Sequence, residues 1–329
     1  MRIQVIGTII IVICIRYNND FKLGGLTMEN AIVIGAFNFV GFKLCCRLLE
    51  EGIVVYGVDT PESREDEFVE EKQLQIGRNA NFSWQEVSEC VFFDNKGSNC
   101  YDTVYYCLFD PSINMFSKGI DKCMNQTTKL LKEVIQYCNE YKIKLVLLST
   151  IEVLGNQTVE MNDDTIPAPE SDSGRLHLIE ENLVKSETEK FNVNYVICRV
   201  PTIYGPWQPT HMMYQQLIIA VMNKQEPKLE INENTRDIIY VDDVVDALIN
   251  LAMPQFEKKS ILLSSGKENQ WYEGAKFLYE RFPKEMVNTY HAPIPLPKAT
   301  KLVNFKPKTS IKEGIEKQVQ QAFWLNNHV

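Results

Sequence analysis

The chain lacks most of the signatures that assign a function at a glance. No two cysteines are spaced as CxxC. The nine present (Cys14, Cys45, Cys46, Cys90, Cys100, Cys107, Cys123, Cys138 and Cys198) are odd in number and scattered. They read as reduced thiols of a cytoplasmic protein, not as a disulfide framework or a zinc site. Histidine is scarce: His177, His211, His291 and His328 are all there are, and none pair at metal-ligand spacing, so no metal is expected. Runs of Lys and Arg are absent and the net charge is −9, which excludes a phosphate-backbone binder; no nucleic acid is expected as a partner. What remains is ordinary globular material, with 45% hydrophobic and 23% charged residues. At about 150 residues per domain, 329 residues make two domains or one large α/β unit.

Three readings compete for residues 1–27. Ile3 to Ile15 is a nearly all-apolar run behind Arg2. A membrane-spanning helix needs about 20 such residues, so the run is short for an anchor. It has the size of a signal-peptide core, but Arg16, Tyr17, Asn18, Asn19 and Asp20 follow it in place of a small-x-small cleavage site. Met28-Glu29-Asn30 then opens a fresh start just ahead of a strand, and Lys22 to Thr27 could be encoded by a purine-rich, ribosome-binding stretch. The favoured expectation is that the native chain starts at Met28, with no membrane involved.

From Ala31 onward, apolar strand-like runs alternate with helical spacing. Ala31 to Ile34, Ile53 to Val58, Asn81 to Val87, Tyr101 to Leu108, Lys144 to Leu148 and Val193 to Val200 read as strands. Val40 to Glu51, Asn125 to Tyr141 and a stretch continuing from Leu178 to Leu183 read as helices, and the charged Glu62 to Lys72 reads as a solvated helix face. Such alternation predicts an α/β protein: a Rossmann-type, doubly wound parallel sheet. After Gly205 the pattern turns irregular and proline-bearing (Pro206, Pro209, Pro227, Pro293, Pro295, Pro297), as a smaller C-terminal lobe would. Residues 28–204, joined by 236–266, are expected to form the first domain, and 205–235 with 267–329 a substrate-binding lobe.

The first strand–helix turn, Gly35-Ala36-Phe37-Asn38-Phe39-Val40-Gly41, sits where a dinucleotide pyrophosphate would meet backbone N–H groups and the positive end of a helix. Asp59 closes the second strand, where a carboxylate bonds a ribose 2′-OH and repels a 2′-phosphate, favouring NAD. A structural turn would also contain such glycines.

Beyond these residues, longer stretches resemble the extended short-chain dehydrogenase/reductase family, which includes NAD-dependent nucleotide-sugar epimerases and dehydratases. Gly35…Gly41 looks like that family's GxxGxxG turn, and Leu147 to Gly155 is similar to its SS/T…VYG stretch. Arg199-Val200-Pro201-Thr202-Ile203-Tyr204-Gly205-Pro206-Trp207 resembles its RxxTVYGPW segment, nearest the UDP-glucuronate 4-epimerase branch. Arg236-Asp237-Ile238-Ile239-Tyr240-Val241-Asp242-Asp243 resembles its RDFxYVDD signature. The resemblance implies NAD as cofactor, held by Gly35, Asn38, Phe39, Val40, Gly41, Asp59 and Leu108. It implies a nucleotide sugar, a UDP-sugar favoured, with Thr202 and Arg236 on the substrate side; a planar guanidinium suits a diphosphate. It also implies homodimerisation through Asn125–Tyr141 and Leu176–Val184, although the apolar stripe of the first would serve as core in a monomer. Asp242 and Asp243 read structurally, as acidic residues complementing a helix start.

The resemblance breaks at the chemistry. The family transfers a proton through a Tyr-x-x-x-Lys pair, the lysine charge lowering the tyrosine pKa. Here Ser173 occupies the tyrosine position and His177 the lysine position, and no tyrosine occurs between Thr150 and Tyr195. Tyr272 and Lys276 have the spacing but fall on a helix that the resemblance places away from the nicotinamide. Asn38 stands in for the middle glycine, Leu108-Phe109 for two small alanines and Leu154 for the VYG tyrosine. The expectation is a family member that binds a nucleotide sugar with impaired catalysis and an altered cofactor cradle. The alternative is a rewired enzyme moving protons through Thr150, Ser173 and His177, the last two on one helix face if the helix has begun. The bland reading of His177 is a surface residue beside a loop.

Overall fold

The computed structural model describes residues 28–60, 67–87, 101–108, 120–155, 161–223, 225, 235–279 and 305–328. The start-site expectation for residues 1–27, Phe109 and the prolines at 227, 293, 295 and 297 fall outside them. Strand and helix alternate in chain order: β1 (Asn30–Ile34), α1 (Phe39–Glu50), β2 (Val54–Asp59), α2 (Val69–Ile76), β3 (Phe82–Glu86), β4 (Thr103–Tyr106), α3 (Ile120–Tyr141), β5 (Lys144–Thr150), α4 (Asp172–Phe191) and β6 (Tyr195–Val200). There follow β7 (Thr202–Tyr204), α5 (Met213–Asn223), β8 (Ile238–Tyr240), α6 (Val241–Leu251), β9 (Lys259–Leu262), α7 (Gln270–Tyr279) and α8 (Ile311–His328).

The main sheet runs β3-β2-β1-β4-β5-β6-β9, with every pairing parallel. It is the doubly wound order that the alternation predicts, and its winding reverses between β1 and β4. A parallel sheet is covered on both faces, so its strands need apolar residues at nearly every position. β4 and β5 are buried throughout, and β1 from Ala31 onward. Side chains alternate across the pleat. Ala31, Val33, Tyr105, Val146 and Val196 join α1 and α6 in one core; Ile32, Ile34, Val104, Tyr106, Leu145 and Leu147 join α3 residues in the other.

Two helices depart from expectation. α2 begins only at Val69, and Lys72, read as the end of a solvated face, is fully buried. α4 starts at Asp172, well ahead of the Leu178 stretch, capped by Ser171 Oγ accepting from Gly174 N at 3.0 Å. Its buried stripe includes Leu176, His177, Glu180, Glu181, Val184 and Thr188. A helix that turns this many polar groups inward leaves little hydrophobic periodicity to read.

β7 and β8 form a separate two-stranded parallel sheet. A buried set of amides fastens α8 beside it. Gln318 accepts from Gly205 N at 3.2 Å and donates to Gln208 Oε1 at 2.7 Å and Gln215 Oε1 at 2.9 Å. Gln208 donates onward to Ile203 O at 2.9 Å, so this residue, which follows the TIYGPW stretch, is a structural brace. Among the described residues no helix is long and apolar enough to cross a membrane, and no cluster of three His, Cys, Asp or Glu is placed to hold a metal. Replacing Gln318 with Leu strands several buried polar groups at once; we expect a loss of about 1–3 kcal/mol in urea unfolding, and an unchanged midpoint would refute the brace.

Candidate functional site

The site is built at the carboxyl ends of the parallel strands, beginning with the β1–α1 turn. Gly35 adopts φ +80°, and a Cβ there would meet Cys107 O at 2.5 Å; one on Gly41 would meet Gly35 O at 1.9 Å. Backbone is packed on backbone, and only glycine fits. Asn38, in place of the middle glycine, is the N-cap residue of α1 at φ −67°, ψ 165°, an extended conformation that any residue adopts. Its carboxamide does not cap its own helix. Nδ2 donates instead to Cys107 O at 3.3 Å and Leu108 O at 2.6 Å, sewing the turn to the end of β4. The N-cap side chain makes no cap hydrogen bond and the first turn of α1 has no acidic residue, so neither offsets the positive end of the helix dipole there.

Asp59 stands at the end of β2, as expected, but is buried and committed to the turn. Its Oδ2 accepts from Phe37 N at 2.7 Å and its Oδ1 from Thr60 N at 3.2 Å. Lys72, which sequence reasoning left in solvent, donates from Nζ to Phe37 O at 2.9 Å.

The second half lies where β5 meets α4. Thr150 ends β5, and its hydroxyl accepts from Glu152 N at 3.2 Å in the short 3-10 turn that follows. Ser171 Oγ donates to Glu152 Oε2 at 2.5 Å, tying that turn to the start of α4. Ser173 lies half-buried in the first turn of α4, and His177 one turn on, so the helix has begun and the two share a face. The surface reading of His177 is wrong: it is 1% exposed, with Nδ1 3.0 Å from Glu180 Oε2. No hydrogen bond joins Thr150, Ser173 and His177 to one another among the described residues; Thr150 is engaged with the backbone and His177 with Glu180.

One residue further, Glu181 receives Arg199 Nε at 2.8 Å and Arg199 Nη2 at 2.7 Å, and Ser149 Oγ at 2.8 Å. Burial pulls the Glu181 carboxyl up, but the two-pronged Arg199 contact holds it below the usual range. Glu180 has no such cation, and burial raises it despite the His177 contact. For His177, burial works downward, yet the hydrogen bond and charge of Glu180, with Glu152 and Glu181 behind it, raise the ring above its usual value. Glu180, Glu181 and Arg199 were missed as functional neighbours because they sit on a helix face and a strand that looked merely structural.

On the substrate side, Thr202 lies in β7 and Arg236 just before β8, both buried. Arg236 Nη1 is 3.1 Å from Met161 Sδ. Its neighbour Asp237 accepts from Ser264 Oγ and Ser265 N, each at 2.8 Å, and from Ser265 Oγ, anchoring Arg236 to the loop after β9. Asp243 accepts from Lys308 N at 3.0 Å and Thr309 N at 3.1 Å, and Asp242 pairs with Lys43 at 2.9 Å, so this acidic pair has structural work to do. Tyr272 and Lys276 are on α7, with the Tyr272 hydroxyl 3.1 Å from Thr235 Oγ1.

A family model described as "NAD dependent epimerase/dehydratase family" matches residues 31–261. Over 314 residues the chain is 26% identical to the "Uncharacterized UDP-glucose epimerase YtcB" of Bacillus subtilis, covering 88% of this chain and 96% of that one. It is 24% identical over 309 residues to the UDP-glucuronate 4-epimerase of Thermodesulfobacterium geofontis, covering 88% and 94%. Among solved structures, the UDP-glucuronic acid 4-epimerase of Bacillus cereus, in complex with UDP-glucuronic acid and NAD, superimposes with a TM-score of 0.73 at 20% identity over 90% of this chain and 99% of that one. The dTDP-glucose 4,6-dehydratase of Bacillus anthracis, in complex with NAD, gives 0.74 at 16% identity over 91% and 98%.

The His177–Glu180 contact has a pH signature. A histidine whose folded pKa is raised contributes stability that is complete below its unfolded value of about 6.5 and fades as pH rises through the folded value. The raised Glu180 acts in the same direction. Urea unfolding at pH 6 and above should therefore show stability declining with pH, with the double variant His177→Gln/Glu180→Gln flattening the slope. An identical slope in the variant would show that the pair is not its source.

Proposed function

The chain belongs to the NAD dependent epimerase/dehydratase family, and from that membership we propose that it binds NAD and a nucleotide sugar, a UDP-sugar favoured, with turnover strongly impaired. The β1–α1 turn fits the dinucleotide: its glycines pack backbone on backbone and α1 carries no side-chain cap. The backbone at the start of α1, around Phe39, Val40 and Gly41, would meet the diphosphate and Leu108 would flank it; Asn38 and Asp59 would serve by holding the turn, through Leu108 O and Phe37 N, and Thr202 and Arg236 would face the nucleotide sugar. Bound there, NAD supplies a hydride acceptor; moving the accompanying proton is left to the side chains.

The carrying observation is the state of α4. Where a phenol and an ammonium would serve that proton, the chain has the aliphatic hydroxyl of Ser173 and an imidazole buried against Glu180. Losing a positioned general base costs about 10²–10⁴ in rate when the rest of a site persists. Residues 205–235 and 267–329 serve in this reading as the substrate lobe and 28–204 with 236–266 as the cofactor domain, with pairing of two copies across α3 and α4 and a cytoplasmic location as further parts of the same proposal.

One observation favours a second reading, an active enzyme using Thr150, Ser173 and His177. Ser173 and His177 share a face of α4, and Glu180 raises the imidazole's basicity. The test is direct. The purified full chain is examined by absorbance for retained NAD, by calorimetry for UDP-glucuronate and UDP-glucose binding, and by NMR for product. We expect nucleotide-sugar binding without product. Product that disappears in His177→Ala would replace this conclusion with the second reading.

A further inference from the structure

The dinucleotide turn lies at the carboxyl ends of the parallel strands, and a separate cavity opens at their amino ends. Its volume is about 330 Å³, and its walls come from the starts of β4 and β5, the end of α3 and the segments after α4 and α6. One amine enters it from the sheet. Lys144 opens β5, is 9% exposed, and donates from Nζ to Met253 O at 2.5 Å through a bond that is only partly buried. Two carboxylates share the cavity, and each has a partner elsewhere. Asp102 Oδ2 accepts from Glu29 N at 2.8 Å and Asn30 N at 3.0 Å, and Glu257 Oε1 accepts from Asn194 Nδ2 at 2.9 Å. The other ionisable side chains of the lining are Cys138, which is buried, and Lys142. Among the described residues, the Met253 carbonyl is the hydrogen-bond partner of Lys144, and no ion pair holds its ammonium.

That partner decides the chemistry open to the amine. A carboxylate at ion-pair distance would favour the charged form, whereas an uncharged carbonyl accepts from an ammonium and from a neutral amine alike. Loss of a proton therefore leaves the hydrogen bond in place and frees the nitrogen lone pair. Burial pushes the Lys144 amine down to about 8, against the upward pull of Glu257. A lysine desolvated in this way is a nucleophile near neutral pH. Two neighbouring lysines provide the contrast. Lys142 and Lys258 are exposed, and they donate to the carboxamide oxygens of Asn139 at 3.2 Å and Asn192 at 2.9 Å.

We propose that Lys144 is a covalent acylation site for small activated acyl groups, carried as acyl phosphates or acyl thioesters, which reach it through the cavity at the amino ends of the strands. The neutral amine attacks the acyl carbon. An N–C bond forms as the C–O bond to phosphate, or the C–S bond to the thiol, breaks; the electron pair departs with the leaving group and the amine proton passes to water. The amide product retains one N–H for Met253 O and removes a charge from a largely buried position. The site is remote from the β1–α1 turn and owes nothing to the dinucleotide reading.

The full chain is incubated with acetyl phosphate or, separately, with acetyl-CoA, from about pH 7 to about pH 10, and acetylation of each lysine is followed by peptide mass spectrometry. Near pH 7.5, Lys144 should react at least about tenfold faster than Lys142 and Lys258, and its rate should level off above about 8. In urea the three lysines should react alike, and Lys144→Arg should lose the fast site while the other two keep their rates. The donor that gives the faster reaction identifies the source of the acyl group. A Lys144 that reacts no faster than the other two in the folded chain overturns the proposal. So does a rate that climbs throughout the range, or a preference that survives in urea and so belongs to the local sequence instead of the cavity.

Discussion

The rotation of α4 about its own axis is set by one buried contact, and the site depends on that rotation. Arg199 on β6 grips Glu181 on α4 with two hydrogen bonds, both side chains 2% exposed or less, and Ser149 on β5 adds a third. Two strands of the sheet therefore hold one residue of the helix. Side chains four apart on a helix share a face, so with Glu181 facing the sheet, His177 faces it too, and Glu180 beside it is buried as well. A buried ion pair is weak evidence for net stability, since desolvation offsets most of the attraction, but it allows few alternative arrangements. Here it settles whether position 177 points at the protein or at solvent.

That orientation decides how the chemistry is read. An imidazole on a free surface would be an available acid or base. The same imidazole wedged against Glu180 is tied by a hydrogen bond to a carboxylate, and both groups sit above their usual pKa values. The dinucleotide end is the contrary case. Its glycine contacts, the side-chain bonds of Asn38 to β4, and the Asp59 and Lys72 contacts all act to hold the turn in one shape. Asn38 departs from a glycine pattern, yet its carboxamide is turned to β4 and leaves the helix end uncapped. The β1–α1 turn is held from several sides, whereas Ser173 and His177 share no hydrogen bond and His177 is engaged with Glu180; the proposal of binding without turnover rests on that difference.

The legible parts of the molecule were those in which local pattern and tertiary role coincide. The strands of a parallel sheet must be apolar on both faces, so β1, β4, β5 and β6 stood out as runs, and their alternation with helices implied the winding. The glycines of the first turn, Asp59 at a strand end and the stretch around Arg236 were also visible, because backbone geometry and motif spacing are local. α4 was misread at its start because its buried stripe contains His177, Glu180 and Glu181, which look exposed to any periodicity argument. Lys72 was misplaced for the same reason, sitting in a charged stretch whose neighbours Glu70 and Glu71 suggest solvent.

The sequence by itself determined the fold class, the place of the glycine turn after β1 and the lack of any tyrosine between Thr150 and Tyr195, because each is a matter of which residues follow which. Only the tertiary structure decided what the substituted and charged side chains do. His177 faces inward because Arg199 turns its helix, Lys72 supports a turn thirty-five residues earlier, and Gln208 braces α8 because Gln318 comes to meet it. Burial and hydrogen-bond partnership are relations between distant parts of the chain, and they exist only once the sheet has brought those parts together.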